Sequence, residues 1–391
     1  MNTEATDVNL CHINVPRTPD EGILFVDHSQ AGHSGHLGHA LVEYAPGKIL
    51  AFYPHCFGRV EGHSGDGWME YKRSEDGGRT WGEPVALEYS RRSYQAIGNE
   101  HSVMCEKAVC TDDGDILLFN LESVNPTYFW EPLAAPTFSR SSDKGITWSD
   151  AKPIGNEAGR FSDVLYHQGV IYALKFCNDC KVFFCGNLPE HHYELHVSED
   201  QGRTFHRRSV PPFETLHRGY GTMEFLSDTE LIAYVYNNTD ECRPEYVISR
   251  DAGKTWEAPQ ATFLAKQIRN PQMTAFKDGF VMHGRSGDRG EEKIKGHFVL
   301  YTSRDGIHWD EGRYLQMRTA GLGAYSNNLL VHDPNGGPER LLIQASHAYS
   351  MHRTNIYHWW LTLTTIGKVA LNSGLPSRRQ LLSAATSSNL T

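Results

Sequence analysis

Apolar and polar positions alternate in three short runs near the start of the chain, HALVEYA, GKILAFYP and WMEYKRS, separated by PGK and by a glycine-rich stretch. Period-two alternation bounded by turn residues predicts half-buried strands. The same texture returns in KAVCTDDGDILLFNLES, SDVLYHQGVIYALKF, TMEFLSDTELIAYVYNN, QMTAFKDGFVMHGR and NNLLVHDPNGGPERLLIQAS. Six units of this kind predict six small antiparallel sheets.

A second pattern punctuates the units. SEDGGRTW (74–81), SSDKGITW (141–148), SEDQGRTF (198–205) and SRDAGKTW (249–256) share S-x-D-x-G-x-T-W/F, and SRDGIHW (303–309) is a shortened fifth copy. Successive serines lie 67, 57, 51 and 54 residues apart. A near-constant period marks a repeat architecture. The motif reads as a tight turn: aspartate accepts from backbone N–H groups, glycine permits positive φ, and the aromatic residue packs under the following strand. Placed between the third and fourth strands of each sheet, it predicts an all-β, six-bladed propeller. The last unit ends one strand short after NIYHWWLTL, and GILFVD (22–27) is expected to close the ring as its outer strand, removing an open edge. The expected layout is an extension over 1–21, a propeller over 22–366 and a polar, disordered tail over 367–391.

Composition narrows the partners. The 391 residues carry a net charge of −10 and no lysine/arginine block, which argues against nucleic acid. No apolar run reaches the ~18 residues of a membrane span, and the N-terminal segment lacks the features of a signal peptide, so a cytoplasmic protein is expected. The eight cysteines lack regular spacing. Reduced thiols are the expectation, with a metal site at Cys177, Cys180 and Cys185 as the alternative.

If the turns occupy one end of the ring, the loops joining strands two and three, and those entering strand one, meet at the other. They carry His33, His36, His39, His55, Arg59, His63, Asp66, His101, Glu106, Glu122, Arg160, Lys175, Arg218, Tyr220, Arg269, Asn270, His283, Arg285, Tyr325, Asn327, His347, Tyr349 and His352. That concentration suits an anionic, hydroxyl-rich carbohydrate. His33, His36 and His39 also have a spacing that invites zinc, although the intervening glycines keep them off one helical face.

The turns resemble the Asp-box repeats of the sialidase (neuraminidase) superfamily over nearly the whole chain to about residue 364. The resemblance implies a glycosidase with Arg59 and Asp66 in the first unit, Asp66 as acid/base, and Tyr325 as nucleophile or charge stabiliser. A phenol needs a neighbouring base for that task. Three departures accompany the resemblance. Leu37, Gly38 and His39 stand where sialidases carry an Arg-Ile-Pro type motif, Gly219 beside Arg218 stands where they place the activating glutamate, and Gln344 replaces the glutamate that braces the first arginine. His39 is therefore expected in the pocket as a hydrogen-bonding or acid–base residue, with His33 and His36 at the rim. Substrate contacts are expected from Arg59, His63, Glu106, Arg218, Arg269, Arg285 and His347, with no cofactor and no metal. A polysaccharide lyase working through His39 and Tyr325, and a non-catalytic carbohydrate-binding propeller, are the alternatives.

Overall fold

The computed structural model describes residues 6–14, 22–57, 65–96, 101–124, 134–178, 185–286, 297–316, 325–350 and 353–371. Residues 16–360 form one unit, a six-bladed β-propeller. Each of the first five blades is a four-stranded antiparallel sheet in sequence order. The innermost strands, in blade order, are Leu41–Ala45, His101–Cys110, Gly159–His167, Arg218–Phe225, Arg269–Phe276 and Ser326–Val331. In the sixth blade, Ile23–Val26 pairs antiparallel with the strand that begins at Arg353, Ile23 opposite His358. The N-terminal strand thus supplies that blade's outer edge. A separate unit pairs Thr6–Asn14 with residues 362–371, so residues 367–371, assigned from sequence to the tail, lie in a strand.

Apolar side chains fill the seams between blades. Phe25, Leu41, Ile49, Tyr53, Val331, Leu342 and Ile356 join the sixth blade to the first. Phe119, Phe161, Ile171 and Ala173 join the second to the third.

The serine–aspartate turns lie between third and fourth strands. In the first, the Ser74 hydroxyl accepts from Gly78 N at 2.8 Å, and Asp76 Oδ1 accepts from Arg79 N and Thr80 N at 3.0 and 2.9 Å. Thr80 Oγ1 donates to Asp76 Oδ2 at 2.6 Å. The shortened copy uses His308 in place of the threonine, its Nδ1 2.7 Å from Asp305 Oδ2. The turn also grips the preceding blade. Arg73 donates to Lys144 O at 2.7 Å, Arg140 to Gln201 O at 2.8 Å and Arg208 to Ala252 O at 3.0 Å. Gly145, at φ +80°, lies so close to the first blade that a Cβ there would meet Leu50 Cδ1 at 2.4 Å. One expectation is corrected: the aromatic residue of the turn packs on the preceding blade, Trp148 against Phe52 and Phe205 against Phe119, because the turn projects across the seam. A helix, Glu88–Ala96, follows the first blade and was not expected. Its apolar spacing is short, and only Ser90 and Tyr94 are buried.

Candidate functional site

Four of the inner strands carry a bulge at the same height. The register slips between Cys105 and Lys107, Phe161 and Asp163, Gly219 and Gly221, and Arg269 and Gln272. A bulge leaves one residue out of the ladder and re-aims its side chain. The residues so released are Glu106, Ser162, Tyr220 and Asn270, and all four line one cavity with Gly38, His39, Lys107, Arg160, Phe161, Gln272, Tyr325 and Ser326. Tyr220 and Asn270 have φ of +32° and +50°, a region costly for residues with a Cβ. Strain of this kind, held at a cavity, marks a place where geometry is imposed by the surrounding fold.

Two phenols face each other in the cavity. Tyr220 Oη and Tyr325 Oη are 3.2 Å apart. The Tyr220 ring stacks on Tyr236 and lies 4.4 Å beneath the Arg160 guanidinium, and the Tyr325 ring meets His36 edge-on at 4.6 Å. Tyr220 thus occupies the space beside Tyr325 in the segment HRGYGTMEF, where the superfamily's base was sought from sequence and not found.

His39 is fully enclosed, and burial pushes its pKa down to about 3 against the opposing effect of the His36 backbone, so the ring is neutral. Gln344 packs beside it. The Gln344 amide nitrogen donates to Phe52 O at 2.8 Å and lies 3.4 Å from His39 Nδ1, while Gln344 Oε1 accepts from His358 Nε2 at 2.9 Å. His39 Nε2 has no hydrogen-bond partner among the described residues. The two positions that depart together from the superfamily pattern, His39 and Gln344, therefore touch.

Other buried polar atoms are left over in the same lining. Glu106 Oε1, Ser162 Oγ and Asn270 Nδ2 lack hydrogen-bond partners among the described residues. Buried polar groups are ordinarily paired, so a lining with both donors and acceptors to spare suits a ligand rich in hydroxyls. The cations in the lining are matched. Arg160 binds Glu106 at 2.7 Å, and Lys107 binds Asp163 at 2.8 Å and Asn327 at 2.7 Å. Asp163 in turn accepts from Thr222 Oγ1 and Met223 N at 2.7 and 2.9 Å. Lys107, Asp163 and Gln272 carried no signal in the sequence, since a lysine and an aspartate within strands read as solvated positions.

The remaining expected residues take other places. Asp66 is 3% exposed and accepts from the Tyr94 hydroxyl of the helix after the first blade; it is outside the cavity lining. Arg218 is paired with Glu245 and Arg269 with Glu241. Arg285 is buried on the second strand of the fifth blade. His347 is half-buried with its ring 4.7 Å from Tyr357. Arg59, His63, His352 and Cys180 lie outside the described residues. Cys177 and Cys185 are buried thiols.

The run His33, His36, His39 is dispersed, because strand Leu41–Ala45 draws His39 inward while the loop before it turns back. His36 is 2% exposed against Tyr325, correcting its expected place at the rim. His33 instead meets His28 and His55. Burial and the facing His55 and His33 rings press the pKa of His28 down to about 3, and burial lowers that of His33.

Among the described residues, no helix is long and apolar enough to cross a membrane. A comparison with curated proteins finds no relative of the chain. Solved structures share the fold at low identity. A protein of unknown function from Dyadobacter fermentans superposes with a TM-score of 0.66 at 14% identity, over 90% of this chain and 99% of that one. The Hadza microbial sialidase gives 0.65 at 14% identity, over 87% and 68%. An α-L-arabinanase of Penicillium chrysogenum complexed with arabinobiose gives 0.56 at 12% identity, over 88% and 98%. A family model, the BNR repeat-like domain, matches residues 47–350. With its six blades and sialidase neighbours, the chain belongs to the BNR repeat-like domain family and has a sialidase-like propeller fold.

Proposed function

We propose that the protein is a glycoside hydrolase of sialidase-like type that acts on a modified, hydroxyl-rich sugar bound in the axial cavity. The observation that carries this reading is the Tyr220–Tyr325 hydroxyl pair in a lining with buried donors and acceptors to spare. Tyr325 stabilises the charge that develops at the anomeric centre, and the Tyr220 hydroxyl holds the Tyr325 hydroxyl in place by the hydrogen bond between them. Asp66, buried against the Tyr94 hydroxyl outside the lining, takes no acid/base role; Glu106 is the carboxylate that the lining carries. His39 offers its unpaired Nε2 to a sugar hydroxyl where the superfamily uses a charged arginine.

The matched charges favour a neutral or modified sugar over one carrying a free carboxylate. Arg160 and Lys107 already have carboxylate partners, and so do Arg218 and Arg269.

The test is a screen of sialosides, arabinosides and other glycosides with the wild type and with Tyr325→Phe. Hydrolysis lost in the variant supports the reading. Unsaturated, ultraviolet-absorbing products would replace it with a lyase, and saturable binding without turnover would replace it with a binding propeller.

A further inference from the structure

Away from the cavity, three histidines distant in sequence converge on the first blade. His28 follows the closing strand, His33 lies in the loop leading to the first inner strand, and His55 is near the end of the second strand of that blade. One ring nitrogen from each lies within 4.8 Å of the others. The ring centroids of His33 and His55 are 4.3 Å apart, and those of His28 and His55 5.7 Å.

The surroundings orient two of the rings as metal ligands are oriented. His28 Nε2 is 3.1 Å from Pro54 O, and a carbonyl only accepts, so the proton sits on Nε2 and the Nδ1 lone pair is available. His55 Nδ1 is 3.6 Å from Glu70 Oε1, and the His55 ring stacks on Trp68 at 5.5 Å. Glu70 is itself fixed by the Tyr53 hydroxyl at 3.1 Å. A carboxylate on the Nδ1 side leaves Nε2 as the nitrogen that can face an ion, and the carboxylate comes within hydrogen-bond reach as the rings draw together.

We propose that His28, His33 and His55 bind a divalent transition-metal ion of the zinc class, with a fourth position open to water or a ligand oxygen. Three neutral imidazoles are a donor set that such ions accept, whereas calcium and magnesium require oxygen. Bonds of about 2.0–2.1 Å place tetrahedral nitrogens about 3.4 Å apart, so the rings draw together on binding. The ion would then pin the loop that carries His36 and His39 into the cavity. A second cluster, Glu157, Cys177, His192 and Glu194, makes a poorer site, since Glu194 is already engaged by His196 and Arg207 at 2.8 and 2.6 Å.

The experiment titrates the chelator-treated full chain with cobalt(II) alone and follows the visible ligand-field bands, then displaces the cobalt with zinc. One equivalent of four- or five-coordinate cobalt is expected. His33→Ala and His55→Ala should each abolish that uptake while melting like the metal-free wild type. Glu70→Gln should weaken it roughly ten- to a hundredfold. His192→Ala should leave it unchanged. Absence of stoichiometric uptake by the wild type, uptake that persists in both His33→Ala and His55→Ala, or uptake lost in His192→Ala would overturn the proposal.

Discussion

Tyr220 and Tyr325 come from inner strands on either side of the fifth blade, 105 positions apart in the chain, and their hydroxyls meet at 3.2 Å. The contact exists because a bulge turns Tyr220 out of its ladder. Tyr220→Phe removes only the hydroxyl and preserves the stacking on Tyr236. It should lower kcat about 10²-fold, the lower end of what one lost hydrogen bond to a charge-stabilising group costs, with little change in KM. Tyr325→Phe should bring turnover to background. Wild-type kcat in Tyr325→Phe would remove the phenol from the chemistry.

Gln344 packs beside His39. Gln344→Leu keeps the volume but leaves Phe52 O and His358 Nε2 without their partner. Each buried group so stranded costs about 1–3 kcal/mol, which chemical denaturation will read. Ligand affinity should fall as well, because the His39 ring loses the side chain that packs beside its Nδ1.

Arg160 is 4% exposed and pairs with Glu106 while lying over Tyr220. Arg160→Met strands the carboxylate and should cost about 3–5 kcal/mol. Adding Glu106→Gln should restore a large part of that loss. If the double variant is no more stable than the single, the two side chains are not energetically coupled, and a double-mutant cycle decides the matter.

Glu224 sets a pH dependence. Burial of its carboxyl pushes its pKa from 4.5 up to about 7, aided by nearby Asp163 and opposed by hydrogen bonds from Ala275 N and Phe225 N. The folded state therefore holds the proton more tightly than the unfolded chain does. The stability it contributes is fully present below pH 4.5 and is lost as pH rises toward about 7. Melting temperature measured across that window should decline in the wild type, and Glu224→Gln should remove this component.

Phe25 sits on the closing strand, with its ring stacked on His358 at 3.9 Å and edge-on to Tyr53 at 5.7 Å. Phe25→Ala should cost about 3–5 kcal/mol, measured by urea denaturation. A loss below 1 kcal/mol would mean that the ring does not depend on this strand for its stability.

The ring was legible because its signals are local and repeated. Five serine–aspartate turns and six pairs of alternating runs need only short windows to be recognised, and the short last unit called for a strand from elsewhere. The cavity was legible in part. Tyr325, His39 and Glu106 were expected there and line it. The bulges that aim Glu106, Ser162, Tyr220 and Asn270 leave no mark in an alternating pattern, since one extra residue looks like ordinary strand. The ion pairs that neutralise Arg218 and Arg269 involve Glu245 and Glu241, which belong to other strands and turns of the blade. Spacing alone also misgrouped the histidines, because His55 reaches His33 through the pairing of Ser34 with Cys56, and His28 joins them from the segment after the closing strand.

That closure imposes an order on biogenesis. Ile23–Val26 is translated before all six inner strands, yet its partner around His358 is made more than three hundred residues later. Until the final sheet emerges, the opening strand has nowhere to dock and the early blades expose an unfinished seam. The nascent chain thus carries an unsealed edge through most of its synthesis, and the last blade works as the clasp that converts an open arc into a protected circle.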